Sequence, residues 1–319
     1  MTTAALRSPT LLVINADDLG FAPGVNRGIA EAHEAGTVSS ASMMVNTPAF
    51  LEAAQLVRDR LPALGVGLHL NVVSGRPLSE VPTLTDARTG RFHSLAELAR
   101  RAMGGRVSAA DVRRETDAQL AALRRAGIVP THLDSHRHAH ALPGLLPAII
   151  AGALADGVPI VRRPLDAPSP GDPLSSGKML VLHAAWRVAE RGLDAAGRAL
   201  VSHSPHFRGI ALQGYRGAMP ERNDALTMSS PSRAAEAGLP HSHAPDLEAR
   251  LLGLLDHLPP GATELMLHPG HDDAVLAAQD SYRDEREREV AALTSGAVRA
   301  RLERGDIRLV SFRELRTGV

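Results

Sequence analysis

The sequence predicts an α/β fold: a (β/α)-barrel formed as one domain over residues 1–319, with a long insertion. Two patterns and a size argue for it. Short apolar runs alternate with helical patterns along most of the chain, as expected where parallel strands are joined by helices. Acidic and histidine residues recur at the C-terminal ends of those runs, the face on which barrels build their sites. The chain has 319 residues, 44% of them hydrophobic and 22% charged, which suffices for a barrel-sized core.

The first run, LLVIN at 11–15, is continuous rather than alternating, as in a strand covered on both faces, and it ends in Asp17 and Asp18. Over 24–36, Val25, Ile29 and Ala32 follow helical spacing and Gly36 stands where a C-terminal cap belongs. A second strand is expected at 39–45, with others at 65–70, 131–136, 159–162, 209–213, 264–268 and 307–311. Helical periodicity marks 111–126, 142–156, 177–200, 246–258 and 285–304. Residues 1–9 read as an N-terminal tail. The stretch 220–245, rich in Pro, Ser and Ala without a period, reads as an insertion or lid loop.

Composition excludes several classes of function. Lys plus Arg is 35 and Asp plus Glu is 35, so no basic footprint for nucleic acid exists. With no cysteine there is no disulfide framework, thiolate ligand or thiol nucleophile, and any metal must be held by nitrogen and oxygen. No apolar stretch has the length of a signal peptide or membrane span, so a cytoplasmic protein without stable membrane insertion is expected; a homodimer is compatible with the sequence. Aromatic residues are 3%, leaving the core to Leu, Val, Ile and Ala, whereas the 15 histidines are unevenly clustered.

Taken singly, the candidate residues are ambiguous. Asp17 and Asp18 could cap a helix, and His69 in GVGLHLN or His268 in ELMLHPGH could be a hydrogen-bonded core or loop histidine. THLDSHRHAH carries His132, Asp134, His136, His138 and His140 at every second position, which suits a strand through His136 with the later histidines in the following loop. What separates these residues from the bland alternatives is shared position: Asp17, Asp18, His69, His136 and His268 all fall at C-terminal ends of expected strands. Two histidines and a carboxylate suit a catalytic divalent metal with open positions, and a second carboxylate and third histidine supply a base and an acid. Such a set serves hydrolysis of a carbonyl or of a phosphoryl compound.

The motifs NADDLG (15–20), GLHL, THLDSH and LHPG, with VSSASMMVN, SGRPLS and VRRP between them in order, resemble the YdjC-like family of carbohydrate deacetylases. That family includes chitooligosaccharide deacetylases and hopanoid-biosynthesis-associated deacetylases. The resemblance implies a distorted (β/α)-barrel of the polysaccharide-deacetylase type and removal of acetyl groups from N-acetylated sugars. It further implies Asp18, His69 and His136 as ligands of one divalent metal ion, magnesium or zinc, with cobalt or manganese also feasible. Asp17 is then the base and His268 a protonated acid, with Arg162 at the site's edge orienting a carboxylate. Asn46, Asn71 and His138 are the expected substrate contacts. The chain departs from the family pattern at Leu19, where Phe is usual, and at Arg137, where His or Gln is common. Only Trp186, Tyr215 and Tyr282 could offer a sugar an aromatic face. Rival functions on the same barrel are a phosphoesterase or other amidohydrolase, and a catalytically silent sugar-binding protein.

Overall fold

The computed structural model describes residues 9–166, 173–202, 205–209 and 247–315. A parallel sheet curls into a half-barrel with helices around it, as expected for a distorted (β/α)-barrel. Strand β1 (Thr10–Leu19) is central. Along one edge it pairs with β6 (Ala262–Leu267). Along the other it pairs with β7 (Ile307–Leu309) through Thr10 to Leu12 and with β2 (Ser40–Met43) through Asn15 to Leu19. Beyond β2 lie β3 (Gly65–Leu70) and β4 (Leu133–Ser135), and beyond β6 lies β5 (His206–Arg208), giving the order β4-β3-β2-β1-β6-β5.

Several elements differ from expectation for identifiable reasons. Residues 159–162 contribute only a single parallel bridge, Val161 to Leu133, Pro159 having no N–H for a ladder. Of the strand expected at 209–213, residues 210–213 fall outside the described residues, as do 1–8 and the whole insertion 220–245; β5 immediately precedes that stretch. The helix expected at 177–200 is two helices, α6 (Pro173–Glu190) and α7 (Ala195–Ser202), with Asp194 capping the second by accepting from Gly197 N at 2.8 Å. Likewise 285–304 divides into α10 (Asp284–Leu293) and α11 (Gly296–Leu302) at Ser295, whose hydroxyl accepts from Val298 N at 3.2 Å.

Helices α1 (Pro23–Glu34) and α4 (Ala109–Arg125) form where expected, and α8 (Leu247–Leu255) is shorter than the periodicity suggested. Helix α5 (Leu146–Asp156) starts late because 136–141 form a tight 3-10 turn, in which Arg137 and His138 take positive φ of 54° and 53°. Unanticipated helices are α2 (Phe50–Arg60) and α3 (Leu95–Met103), with the short α9 (Ala274–Ala277) and α12 (Phe312–Leu315). The buried face of α2, Phe50, Ala53, Ala54 and Val57, has ordinary helical spacing and was readable in the sequence.

Two apolar regions position the site. The main core lies between sheet and helices and takes Leu12, Ile14 and Ala16 from the outer face of β1. A separate small cluster, Val13, Ile160, Val310 and Phe312, plugs the N-terminal end of the half-barrel. Strand alternation then sends Asn15 to the same inner face as Val13, so the space above the plug is polar. Among the described residues no helix is long and apolar enough to cross a membrane.

Candidate active site

Asp17 and Asp18 reach one site through a break in strand geometry rather than a turn after the strand. Neighbours in a regular strand face opposite ways, but the β1–β2 register jumps between Ala16 and Leu19, and Asp18 has φ of 71°. The left-handed residue turns both carboxylates inward, at a cost of about 1–2 kcal/mol for an L side chain. Both are 1% exposed, so this geometry puts two acids side by side away from water.

Asp18, His69 and His136 offer one oxygen and two nitrogens that lie within 4.8 Å of one another. Asp18 Oδ1 is 3.2 Å from His69 Nε2 and 2.9 Å from His136 Nδ1, while Asp18 Oδ2 accepts from Arg286 Nη2 at 2.6 Å. Burial opposes the charge on Asp18, but His136 and Arg286 outweigh it and hold the carboxyl well below its ordinary range. On its other side His69 Nδ1 donates to Asp134 Oδ1 at 2.7 Å. A neutral His69 therefore turns the Nε2 lone pair toward the Asp18 oxygen, two acceptors face to face. Only a cation or a second proton relieves that opposition. Without metal the proton does so: burial pushes the His69 pKa down, yet Asp134 and Asp17 raise it to about 10. A sulfur-free set of two imidazoles and a carboxylate, one imidazole backed by a carboxylate, fits a divalent cation.

Arg162 proves to be the centre of the site rather than its edge. It is fully buried and grips Asp17 with two parallel bonds, Nη1 to Oδ2 and Nη2 to Oδ1, each 2.7 Å. Its Nη2 is 2.7 Å from Asp134 Oδ2, and its Nε donates to Glu264 Oε1 at 2.8 Å. Asn15 Nδ2 donates to Asp17 Oδ1 at 2.8 Å as well. Burial first, then Asp134 and Asp17, push Glu264 up to about 7 against the pull of Arg162. Glu264 was not foreseen, because nothing in TELML sets an inward-facing strand glutamate apart from a surface one.

His268 follows β6, and its loop is held by close backbone packing: a Cβ on Gly28 of α1 would stand 2.6 Å from Gly270 Cα. Arg286, from α10, joins the two halves of the site, since its Nη1 also donates to His268 O at 3.3 Å. Glu289 accepts the backbone N–H of His268 and, at 2.7 Å, the phenol of Tyr282. Burial lowers the His268 pKa to about 4, despite the nearby Asp18 and Asp17, which favours the neutral ring at rest.

The expected substrate contacts are less uniform. Asn46 is half-buried and donates to Arg76 O at 3.0 Å. Asn71 is fully buried; its Oδ1 accepts from the N–H groups of Val73 and Ser74, and its Nδ2 donates to Ser74 O and Asn46 Oδ1. Those four bonds use the amide's full capacity, so Asn71 holds its loop and has no group to spare for a ligand. His138 is half-buried, its Nδ1 without a hydrogen-bond partner among the described residues and its ring 5.8 Å from Phe207. Of the aromatic residues, Trp186 is buried in the core, Tyr282 lies 5.7 Å from His268, and Tyr215 falls outside the described residues.

Comparison with known proteins identifies relatives of the chain. Residues 11–304 match the family described as YdjC-like protein. The chain is 31% identical over 307 residues to a carbohydrate deacetylase of Geobacillus stearothermophilus, covering 96% of this chain and 98% of that protein. It is 33% identical over 307 residues to one of Brevibacillus brevis, covering 95% and 99%. To the chitooligosaccharide deacetylase of Serratia marcescens it is 39% identical over 153 residues, 47% of this chain and 58% of that one. A crystal structure from Enterococcus faecalis V583, provisionally named a cellobiose-phosphate cleavage protein, superposes with a TM-score of 0.70 at 26% identity, covering 97% of this chain and 99% of that one. Matching family, near full-length relatives and a shared fold together establish that the chain belongs to the YdjC-like family.

Proposed function

We propose that this protein is a hydrolase that removes the N-acetyl group from an N-acetylated amino sugar and releases acetate, using one divalent cation held by Asp18, His69 and His136. The observation that carries this reading is the buried pairing of that donor set with Asp17, which two bonds from Arg162 hold in place. The carbohydrate deacetylase names of its 31% and 33% identical relatives support the sugar amide as substrate. A bound zinc or magnesium ion, or cobalt or manganese in its place, would supply a Lewis acid for the amide carbonyl and lower the pKa of water from about 15.7 toward about 7 in the best zinc sites.

The chain's own residues then divide the proton work. Asp17 accepts the proton of the attacking water, and Arg162 and Asn15 keep its oxygens aimed while it does so. His268 donates a proton to the departing sugar amine. Its resting ring being neutral, His268 must first receive a proton, and the one that Asp17 takes from water is the one it passes on to the amine, so none is gained or lost. Arg286 engages Asp18 Oδ2 and leaves Oδ1 to face the two imidazoles.

Acetate release is the test, measured for chito-oligosaccharides, lipid-linked N-acetylglucosamine and N-acetylated antibiotic precursors, with each metal restored to chelated protein. Acetate from one class identifies the acceptor. Phosphate release from phosphate esters instead, or no product with any metal, would overturn the proposal.

A further inference from the structure

Beneath the ligand set lies a hydrogen-bond chain in which every proton has a single permitted place. Ser42 Oγ has three partners: it lies 2.9 Å from Asn15 Nδ2, 2.6 Å from Asp134 Oδ2 and 3.0 Å from His132 Nε2. Asn15 Nδ2 can only donate and the Asp134 carboxylate can only accept, so the one hydroxyl proton of Ser42 goes to Asp134. Ser42 therefore has only a lone pair left for His132, and His132 Nε2 must carry the proton. That leaves His132 Nδ1 as an acceptor, and Thr131 Oγ1 lies 2.9 Å from it.

The reverse order fails at the Asn15 end. If Asn15 were turned over, its carbonyl would face Asp17 Oδ1, an acceptor against an acceptor. The observed orientation leaves Asn15 Oδ1 without a partner among the described residues, a cost the chain of donors imposes. The imidazole that starts the chain is itself held rigidly. It stacks on Phe312 with ring centroids 4.0 Å apart, and a Cβ on Gly67 would come within 2.5 Å of its ring atoms, so glycine is needed opposite it. His132, Ser42, Asp134 and His69 are all 1% exposed or less, so water does not offer alternative partners.

We infer that His132 and Ser42 are positioning residues for the metal ligand: through Asp134 they hold the Nδ1 proton of His69 in place, so that Nε2 is the atom that gives up its proton to a cation. Asp134 Oδ2 is occupied by Ser42 and Arg162, which leaves Oδ1 to take the Nδ1 proton of His69 at 2.7 Å. The inference rests on His69 being a ligand through Nε2, as in the proposed function, but not on the identity of the substrate.

Two measurements test it, neither of which uses turnover. Long-range 15N–1H spectra of histidine-labelled, metal-free protein read the tautomer, with His132 identified as the signals missing from His132→Phe, a variant that keeps the ring stacked on Phe312. The expected form is neutral with the proton on Nε2; a proton on Nδ1, or an imidazolium at neutral pH, would overturn the inference. Zinc titration calorimetry of Ser42→Ala and His132→Phe is expected to show affinity reduced about 10- to 100-fold. Parental affinity in both, with both folded by circular dichroism, would also overturn it. If the parent itself bound no metal, the proposed ligand set would fail, and the His132 tautomer would still decide whether the chain of donors exists.

Discussion

Replacing Arg162 with Met puts the reading of the site's centre to its severest test. The guanidinium is the shared partner of three buried carboxylates, Asp17, Asp134 and Glu264, with contacts of 2.7, 2.7 and 2.8 Å. Methionine fills similar volume without charge, so the variant must find protons or lose the fold. Glu264, already near 7, takes one at little cost. A second must go to Asp17 or Asp134, and protonating an ordinary aspartate at pH 7 costs about 4 kcal/mol, at about 1.4 kcal/mol per unit above about 3.9. That escape caps the damage, and the expected loss is about 3–5 kcal/mol, the usual range for breaking a buried pair. The sign with pH follows. In the variant the surviving aspartates have raised folded-state pKa values, so stability is present at low pH and lost as pH rises. In the parent Asp134 is held far below its ordinary value, so its contribution is fully present above about 4 and is lost only as pH falls below that; the change between about pH 4 and pH 7 comes from the variant. The gap between them should be small near pH 4 and widen by about 1.4 kcal/mol per unit toward pH 7. Urea unfolding of chelated protein at a series of pH values measures it. A gap that does not change with pH, or a loss under about 1 kcal/mol at pH 7, would refute the three-carboxylate account of Arg162.

Other outcomes follow from the same geometry. Asp17→Asn should keep its metal by elemental analysis while acetate release falls about 10²–10⁴-fold; parental turnover would remove Asp17 from the role of base. Metal uptake at neutral pH should release a proton, because His69 at about 10 is charged without metal and must lose Nε2–H to bind it. Affinity should then climb about tenfold per pH unit below that value, and calorimetry in buffers of unequal ionisation heat counts the proton. Gly67→Ala should cost about 1–3 kcal/mol by forcing the His132 ring aside, whereas Gly253→Ala in α8, with nothing within 4 Å of the new Cβ, should be neutral or stabilising. Equal urea midpoints for the two variants would contradict the packing at Gly67.

The candidate site was legible to the extent that its chemistry collects at strand ends. Asp17, Asp18, His69, His136 and His268 could be chosen because apolar runs announce where strands stop, and the structure brings Asp18, His69 and His136 into mutual reach. Arg286 was not legible. DEREREV at 284–290 reads as a solvated helix face, and only the fold shows that one of its arginines, 1% exposed, turns inward to Asp18. His132 looked like one more member of a histidine cluster, yet it sits beside the apolar plug, four residues and one strand end away from His136. The start of α7 within 177–200 is set by one aspartate whose capping role is invisible to periodicity.

What the sequence determined by itself was the fold class, the family and the kinds of atoms that would meet: nitrogen and oxygen donors, no sulfur, one more acid and one more imidazole than a ligand set needs. Those depend on composition and on local order, which a chain carries whether or not it is folded. The tertiary structure decided the rest: that a left-handed aspartate puts two neighbouring carboxylates on one face, that Arg162 is central, that burial lowers the His268 pKa and that His69 Nδ1 faces Asp134. Each of these depends on burial and on contacts between residues far apart in the chain, where dehydration and an exact partner, not residue type, set charge and proton position.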